Sequence, residues 1–339
     1  MTVDQTELRP RERSCTAVAG TNIALCKYWG KRDAALNLPA TGSLSLTLAE
    51  MGTRTTVRFG GVSGGDRVRL GGAPADQRFA FRVSQFLDVV RKQAGISDAA
   101  EVVTENSVPT AAGLASSASG FAALALAASR AAGLMLAPPA LSGLARLGSG
   151  SAARSIFGGF VEMARGERAD GGDAVAHVID DAGAWDLRMV VAVTATGPKP
   201  LGSTAAMERT ARTSPFYAAW VTGCDTDLAD ARAAIAARDL DALGRVAERS
   251  ALRMHATALA ADPAIVYWNG ATLAAMNTVL ELRAQKVAAY FTIDAGPHVK
   301  VLCAAADAAR VAEALAATPG VQRTVVASPG PGARVIEQG

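Results

Sequence analysis

The chain has 339 residues, half of them hydrophobic and 19% charged, with a net charge of +3, a globular composition long enough for about two domains. The one dense basic cluster is Arg9, Arg11 and Arg13, interrupted by Glu12, and no basic stripe interleaved with aromatics occurs, which argues against a nucleic-acid partner. The longest apolar stretch, GFAALALAASRAAGLMLA, is broken by Arg130 and is too short to span a membrane; the first twenty residues are polar and charged, so no signal peptide is expected.

Taken in chain order, residues 1–13 read as a disordered tail. From Ser14 to Leu70 come alternating or apolar runs, clearest in SLSLTLAEMGTRTTVRF, which predict antiparallel strands. RFAFRVSQFLDVVRKQAG has helical spacing and closes on Gly95, a C-cap residue. AEVVTENSVPT is a strand leading into a loop, and GLASSASGFAALALAASRAAGL is a loop becoming a helix. GSGSAARSIFGGF is a second Ser/Gly turn before further strands. DLRMVVAVTAT predicts a buried strand that opens the second half. DLADARAAIAARDLDALGRVAERSALRMHATAL and IVYWNGATLAAMNTVLELRAQ are strongly helical, and VAAYFTIDAGPHVKVLCAA is two strands about a Gly-Pro turn. Strands and helices mix in each half, so the expected class is α+β, with one unit over residues 1–187 and a second over 188–339. The four cysteines, Cys15, Cys26, Cys224 and Cys303, have no metal-ligand spacing and read as free buried thiols of a reducing compartment. The expected location is the cytoplasm.

Three stretches suit anions. In NSVPTAAGLASSASGFAALA, from Asn106 to Ala125, Gly113 permits close backbone approach and the small residues Ala115 to Ser119 start a long helix. The free N–H groups there attract phosphate, and the hydroxyls of Ser116 and Ser117 can bind phosphate oxygens or a phosphate-bound Mg²⁺. Capping alone would need one serine. In GSGSAARSIFGGF, Ser149 and Ser151 sit in a turn with Arg154 three residues on, a fork suited to carboxylate or phosphate. In NIALCKYWGKRD, Lys27 and Lys31 lie four residues apart in a chain with only six lysines. Tyr28 and Trp29 between them make full solvation improbable, so an anion between the two ammoniums is the economical reason for the pair. Asp294 ends an apolar strand before Ala-Gly-Pro; this placement fits a catalytic base and equally an Asx-type turn. The histidines, His177, His255 and His298, are poor catalytic candidates, and His255 reads as structural. Together these features suggest a nucleotide plus a phosphorylated second substrate.

At these residues the chain resembles the diphosphomevalonate decarboxylases, also called mevalonate diphosphate decarboxylases, of the GHMP kinase superfamily. NIALCKYWGKRDAALNLPATGSLSLTL, SVPTAAGLASSASGFAALA, GSGSAARSIFGGFVEM, TSPFY, MHAT and FTIDAGPHVKVL stand close to the family's patterns and in the same order, from about Ser14 to beyond Cys303. The resemblance implies a two-domain GHMP kinase fold, with an N-terminal ribosomal-protein-S5-like domain, a C-terminal ferredoxin-like domain, and the active site in the cleft between them. It implies ATP- and Mg²⁺-dependent decarboxylation of mevalonate 5-diphosphate to isopentenyl diphosphate through phosphorylation of the tertiary 3-hydroxyl. It also implies a homodimer. By the same resemblance Asp294 corresponds to the base, Lys27 to the active-site lysine and Arg154 to the carboxylate-orienting arginine. Tyr28 and Lys31 correspond to diphosphate contacts, Ser149, Ser151 and Ser203 line the substrate, and Arg82 matches an arginine of that pocket. Asn106, Gly113, Ala115, Ser116 and Ser117 fall in the nucleotide loop. One departure is KPLGSTAAM, where Pro200, Gly202 and Ala206 replace a Lys, a Ser and a Gly of the family's pattern. The alternatives are a decarboxylase of mevalonate 5-phosphate, a GHMP kinase that stops at phosphoryl transfer, and a ligand sensor that has lost the chemistry.

Overall fold

The computed structural model describes residues 13–107, 116–197 and 201–339. In chain order the first half holds β1 (Arg13–Cys26), β2 (Lys31–Asp33), β3 (Leu38–Pro39), β4 (Ser43–Phe59), β5 (Arg67–Leu70), β6 (Ala73–Pro74), α1 (Gln77–Ala94) and β7 (Ala100–Asn106). Then come α2 (Ser116–Ala131), α3 (Pro138–Gly148), a 3₁₀ turn over Gly150–Ile156, β8 (Phe160–Met163) and β9 (Ala176–Asp180). The second half holds β10 (Leu187–Val193), α4 (Ser203–Thr213), α5 (Tyr217–Ala237), α6 (Leu240–Leu259) and α7 (Gly270–Ala284). It ends with β11 (Ala289–Ile293), β12 (Val299–Ala304), α8 (Ala308–Ala316), β13 (Arg323–Ala327) and β14 (Arg334–Gln338).

The long strands β1 and β4 pair antiparallel and form the spine of the molecule. The sheet built on them runs β14-β1-β4-β7-β5-β6, with β8 and β9 continuing from β4. Residues 43–48 of β4 are buried without interruption, whereas from Met51 to Phe59 burial alternates. Uninterrupted burial means that both faces of that segment are covered, and alternation means that one face meets water. The covering layer is the second half of the chain: Leu44, Leu46 and Leu48 share a core with Met189, Val191, Leu228 and Val246. The other face of the sheet packs Ala17, Val57 and Val102 against α1, α2 and α3. Alanines line α2 at 122, 123, 125, 127 and 128, all at 0% exposure; side chains this small let the helix lie close on the sheet.

The second sheet is antiparallel throughout, in the order β11-β12-β10-β13. Period-2 alternation divides its side chains. Val299, Val301 and Cys303 join a core with α7 and α8, while Leu302 joins the core shared with the first half. Among the described residues no helix is long and apolar enough to cross a membrane, and all four cysteines are free and buried.

Several local readings hold at residue level. Gly95 is a left-handed C-cap at φ 67°, and Asp76 caps the start of α1 by accepting from the Phe79 N–H. The helical run from Asp227 to Leu259 is instead two helices. The chain turns left-handed at Arg238 (φ 51°), and the Asp239 side chain caps α6 by accepting from the Ala242 N–H. IVYW is not helical; α7 starts only after Asn269, which forms a capping box with Thr272. Helices α3, α4 and α8 are additions to the sequence reading. Residues 1–12 of the expected tail lie outside the described residues, and Arg13 opens β1 opposite Phe59. The C-terminal strand β14 crosses back to pair with β1.

Candidate active site

Strand β1 ends at Cys26, and Lys27 follows it into the seam between the two halves. Trp29 anchors this turn. It is 1% exposed, its backbone carbonyl accepts from the Trp220 indole at 3.0 Å, and its ring meets Tyr267 edge-on at 6.3 Å. The backbone N–H of Lys27 donates to the Ser250 hydroxyl of α6 at 3.0 Å. The Lys27 ammonium is 2% exposed and donates to the Ala24 carbonyl at 2.9 Å and to Asp294 Oδ1 at 2.7 Å.

Asp294 follows β11, which pairs with β12 up to Ile293 and Val299. The side chain keeps 31% exposure, so the carboxylate is partly open to solvent while its partner is buried. Burial pushes its pKa up, but Lys27 and Lys300 outweigh that and hold it well below the usual carboxylate range. Burial pushes Lys27 down to about 8, against the pull of Asp294, which favours the charged form. Both groups are therefore ionised at neutral pH.

Arg154 lies in the 3₁₀ turn, three residues beyond Ser151. Its guanidinium is 1% exposed and donates to Ser45 Oγ at 2.9 Å, to Ser43 Oγ, and to Asn22 Oδ1 at 3.3 Å. Among the described residues it has no carboxylate partner at ion-pair distance. Burial pushes it down to about 10, while Tyr28 and Asp294 favour its charge. Asn22 in turn donates to the Ser151 carbonyl at 2.9 Å and to Ser155 Oγ at 2.8 Å. A buried arginine held only by neutral groups is a cation prepared for an incoming anion.

Beside it the Ser149 and Ser151 hydroxyls meet at 3.2 Å. The Tyr28 hydroxyl is buried and has no hydrogen-bond partner among the described residues; burial pushes its pKa above the usual range, so it remains a donor. It fits there because residue 150 is glycine, where a Cβ would come within 2.6 Å of Tyr28 Cζ. A buried hydroxyl of this kind is free to donate to a water or a ligand oxygen. Lys31 donates to Asn37 Oδ1 at 2.5 Å; burial and the charge of Arg82 both push its pKa down. Arg82 donates to the Gly148 carbonyl at 3.2 Å and lies over the Phe121 ring at 5.0 Å. Tyr28, Lys31, Arg82, Ser149 and Ser151 thus converge on one corner, where among the described residues neither Lys31 nor Arg82 has a carboxylate at ion-pair distance.

Arg82 also lines a cleft of about 190 Å³ between α1, α2 and the sheet, together with Thr55, Val102, Asn106, Ser117 and Phe121. Asn106 accepts from the Thr53 hydroxyl at 2.7 Å. The cleft combines flat apolar walls with hydroxyls and an exposed Ser117 at the first turn of α2, a donor set that fits a nucleotide. Ser119, by contrast, is buried and bonds Thr53 at 2.7 Å, which ties the helix to the sheet. Ser116 opens α2, while Gly113 and Ala115 lie outside the described residues. Among the described residues no group of three or more His, Cys, Asp or Glu side chains could hold a metal ion; Mg²⁺ would be held chiefly by nucleotide phosphates, with serine hydroxyls such as that of Ser117 in reach. Ser203 is the first residue of α4, after Gly202, and Pro200 lies outside the described residues.

His255 is 1% exposed, tilted against Trp268 at 4.8 Å, and burial pushes its pKa to about 3. His298 Nδ1 accepts from the Thr194 N–H at 3.2 Å, and His177 is exposed on β9. Sequence reasoning missed Lys300, whose ammonium lies 3.0 Å from Asp294 Oδ2 at 3% exposure. The available signal was a lone lysine inside the apolar run HVKVL of a lysine-poor chain. It also missed Asn22, Ser43 and Ser45, which no local pattern distinguishes.

Residues 19–176 match the family profile of the diphosphomevalonate decarboxylase-like N-terminal domain, and residues 189–329 match that of the mevalonate 5-diphosphate decarboxylase C-terminal domain. This chain belongs to the diphosphomevalonate decarboxylase family. It is 36% identical to the diphosphomevalonate decarboxylase of Aspergillus fumigatus over 325 residues, covering 90% of this chain and 80% of the relative. With that of Bos taurus the identity is 36% over 308 residues, 84% of this chain and 76% of the relative. The crystal structure of mevalonate diphosphate decarboxylase from Staphylococcus aureus superposes with a TM-score of 0.91 at 39% identity, over 96% of this chain and 98% of that one. A structure of MDDEF in complex with MVAPP, AMPPCP and magnesium gives 0.90 at 42% identity, over 96% and 99%. The fold is accordingly the two-domain GHMP kinase fold expected from the sequence.

Proposed function

We infer that this member of the diphosphomevalonate decarboxylase family converts mevalonate 5-diphosphate and ATP into isopentenyl diphosphate, ADP, phosphate and CO₂. The observation that carries the reading is the ionised Lys27–Asp294 pair, with the carboxylate partly open to solvent and the buried Arg154 guanidinium close enough to feel its charge.

The substrate's diphosphate is assigned to Tyr28, Lys31, Ser149 and Ser151, with Arg82 at the junction with the nucleotide cleft and Ser203 at the edge of the site. Asn106, Gly113, Ala115, Ser116 and Ser117 are assigned to the nucleotide. Mg²⁺ supplies charge neutralisation on the phosphates when bound. The 3-hydroxyl donates to Asp294 and attacks the terminal phosphorus as the bond from that phosphorus to the ADP oxygen breaks; its O–H proton passes to the carboxylate as the new O–P bond makes that oxygen acidic, and from this weakly basic carboxylate on to solvent, which leaves Asp294 anionic again. A carboxylate with so low a proton affinity is a weak base at rest, so its first contribution is to orient the crowded alcohol. The C3–O bond then breaks with loss of phosphate, and the C–C bond to the substrate carboxylate supplies the electron pair of the new C=C bond as CO₂ leaves. Anionic Asp294 stabilises the positive character at C3, and Arg154 aligns the carboxylate while leaving its electrons available. The two halves are assigned as residues 1–187 and 188–339, with β14 returning to the first sheet; the protein is assigned to the cytoplasm as a homodimer without a nucleic-acid or membrane partner.

The test is to supply Mg-ATP with mevalonate, its 5-phosphate or its 5-diphosphate and to measure ADP and CO₂ together. Equal ADP and CO₂, far greater with the diphosphate, are expected. Preference for the monophosphate would change the substrate, and ADP without CO₂ would reduce the protein to a kinase.

A further inference from the structure

The two oxygens of Asp294 are held by different lysines. Oδ1 takes Lys27 at 2.7 Å and Oδ2 takes Lys300 at 3.0 Å, and both ammoniums are almost completely buried. Lys300 projects from the middle of a sheet, at a register opposite Thr292. Its neighbours Val299 and Val301 turn to the opposite face and pack against α7 and α8. A strand of this kind is made of β-branched and apolar residues, and a lysine buried there is costly unless it is paired. The same patch is tied to the first half of the chain: the Thr292 hydroxyl donates to the Ala24 carbonyl at 3.2 Å, the carbonyl that Lys27 also uses. One carboxylate therefore sits between two cations, although one would suffice to neutralise it.

We propose, on the functional reading above, that Lys300 is a positioning residue for the reaction: it pins Oδ2 of Asp294 and sets the charge balance of the Asp294–Lys27 pair, so that the carboxylate presents a fixed lone pair to the tertiary hydroxyl. With Lys27 alone, the carboxylate could rotate and give both oxygens to one ammonium. With both lysines, each oxygen has its own anchor and the carboxylate plane is set by the two. The charged and titratable groups facing the carboxylate are Lys27 at the end of β1, Lys300 on β12, Arg154 in the 3₁₀ turn and His255 on α6. His255 is held neutral at working pH by burial. Lys300 thus acts on a pair whose other neighbours are one fixed cation and one neutral ring, and its charge favours both an ionised Asp294 and easier proton loss from Lys27.

The experiment is Lys300→Met, read as a full pH profile beside the wild type, with ADP and CO₂ both measured. The expected result is a kcat lowered about 10- to 100-fold, a loss typical of a disturbed reacting geometry. The KM for the 5-diphosphate should change much less, because Tyr28, Lys31 and Ser149 do not depend on Lys300. Loss of a positive charge raises the proton affinity of both remaining partners, so both limbs of the kcat/KM profile should move to higher pH, the basic limb by about one unit from near 8. Lys300→Arg keeps the charge and should leave the basic limb in place even if its bulk lowers the rate; it also serves if the Met variant does not fold. A lowered kcat with both limbs unmoved would mean that Lys300 only fills space, and an unchanged kcat would also overturn the proposal. A wild-type enzyme that releases no CO₂ from the diphosphate would overturn the functional reading itself, and with it this role.

Discussion

Replacing Asp294 by Asn removes the carboxylate held between Lys27 and Lys300, and its effect on stability should depend on pH in a defined direction. Lys27 is 2% exposed and bonds Asp294 at 2.7 Å. Leaving a buried ion-pair partner uncompensated costs about 3–5 kcal/mol. Folded Lys27 can escape this cost by losing its proton. It already titrates near 8 with the carboxylate present, and without that favourable charge it must titrate lower. In the unfolded chain it titrates at its ordinary, higher value. Between those two values the unfolded chain binds one more proton than the folded variant, so raising the pH stabilises the variant by about 1.4 kcal/mol per unit. The wild type gains the same stabilisation only above about pH 8. The deficit of Asp294→Asn, measured by equilibrium urea unfolding, should therefore be largest near pH 6, shrink towards pH 8 and stay level above it. The same variant should lose about 10²- to 10⁴-fold in kcat. A stability deficit constant from pH 6 to 8 would refute the claim that Asp294 holds buried Lys27 charged.

Arg154→Met should lower kcat by at least about 10²-fold through lost alignment and let ADP release outpace CO₂ release; equal ADP and CO₂ at the wild-type rate would show that Arg154 does not orient the carboxylate. Gly150→Ala places a Cβ within 2.6 Å of Tyr28 Cζ. It should displace the phenol and raise the KM for the 5-diphosphate about tenfold or more, the worth of a hydrogen bond to a charged group, with a smaller effect on the KM for ATP. Ser117→Ala should do the reverse, raising the KM for ATP about 2- to 10-fold and leaving the diphosphate KM near the wild-type value.

Local patterning carried much of the fold. The alternating run from Met51 to Phe59, the helix closed by Gly95 and the Gly-Pro turn after β11 can all be read from neighbouring residues, because the forces that form them act within a few positions. The candidate site was legible where residue types were unusual for this chain: two of six lysines beside a tryptophan, and serines clustered at helix starts. Arg154 stood out only through its Ser/Gly context among many arginines. The break at Arg238 was missed because Asp239 serves as a helix interior residue or as a cap equally well until the second helix finds its packing face.

The sequence by itself determined which side chains could bind phosphate, hold a carboxylate or move a proton, since that chemistry belongs to the residue type. Only the tertiary structure decided which of them meet. Lys27 and Asp294 stand 267 positions apart and touch because β1 ends in the seam where β11 also ends. Arg154 reaches Ser45 across 109 positions. Lys300 was visible only as a lysine in an apolar strand. Its partner depends on which face of the sheet meets the first half of the chain, and that choice is made by the packing of two cores rather than by any local pattern.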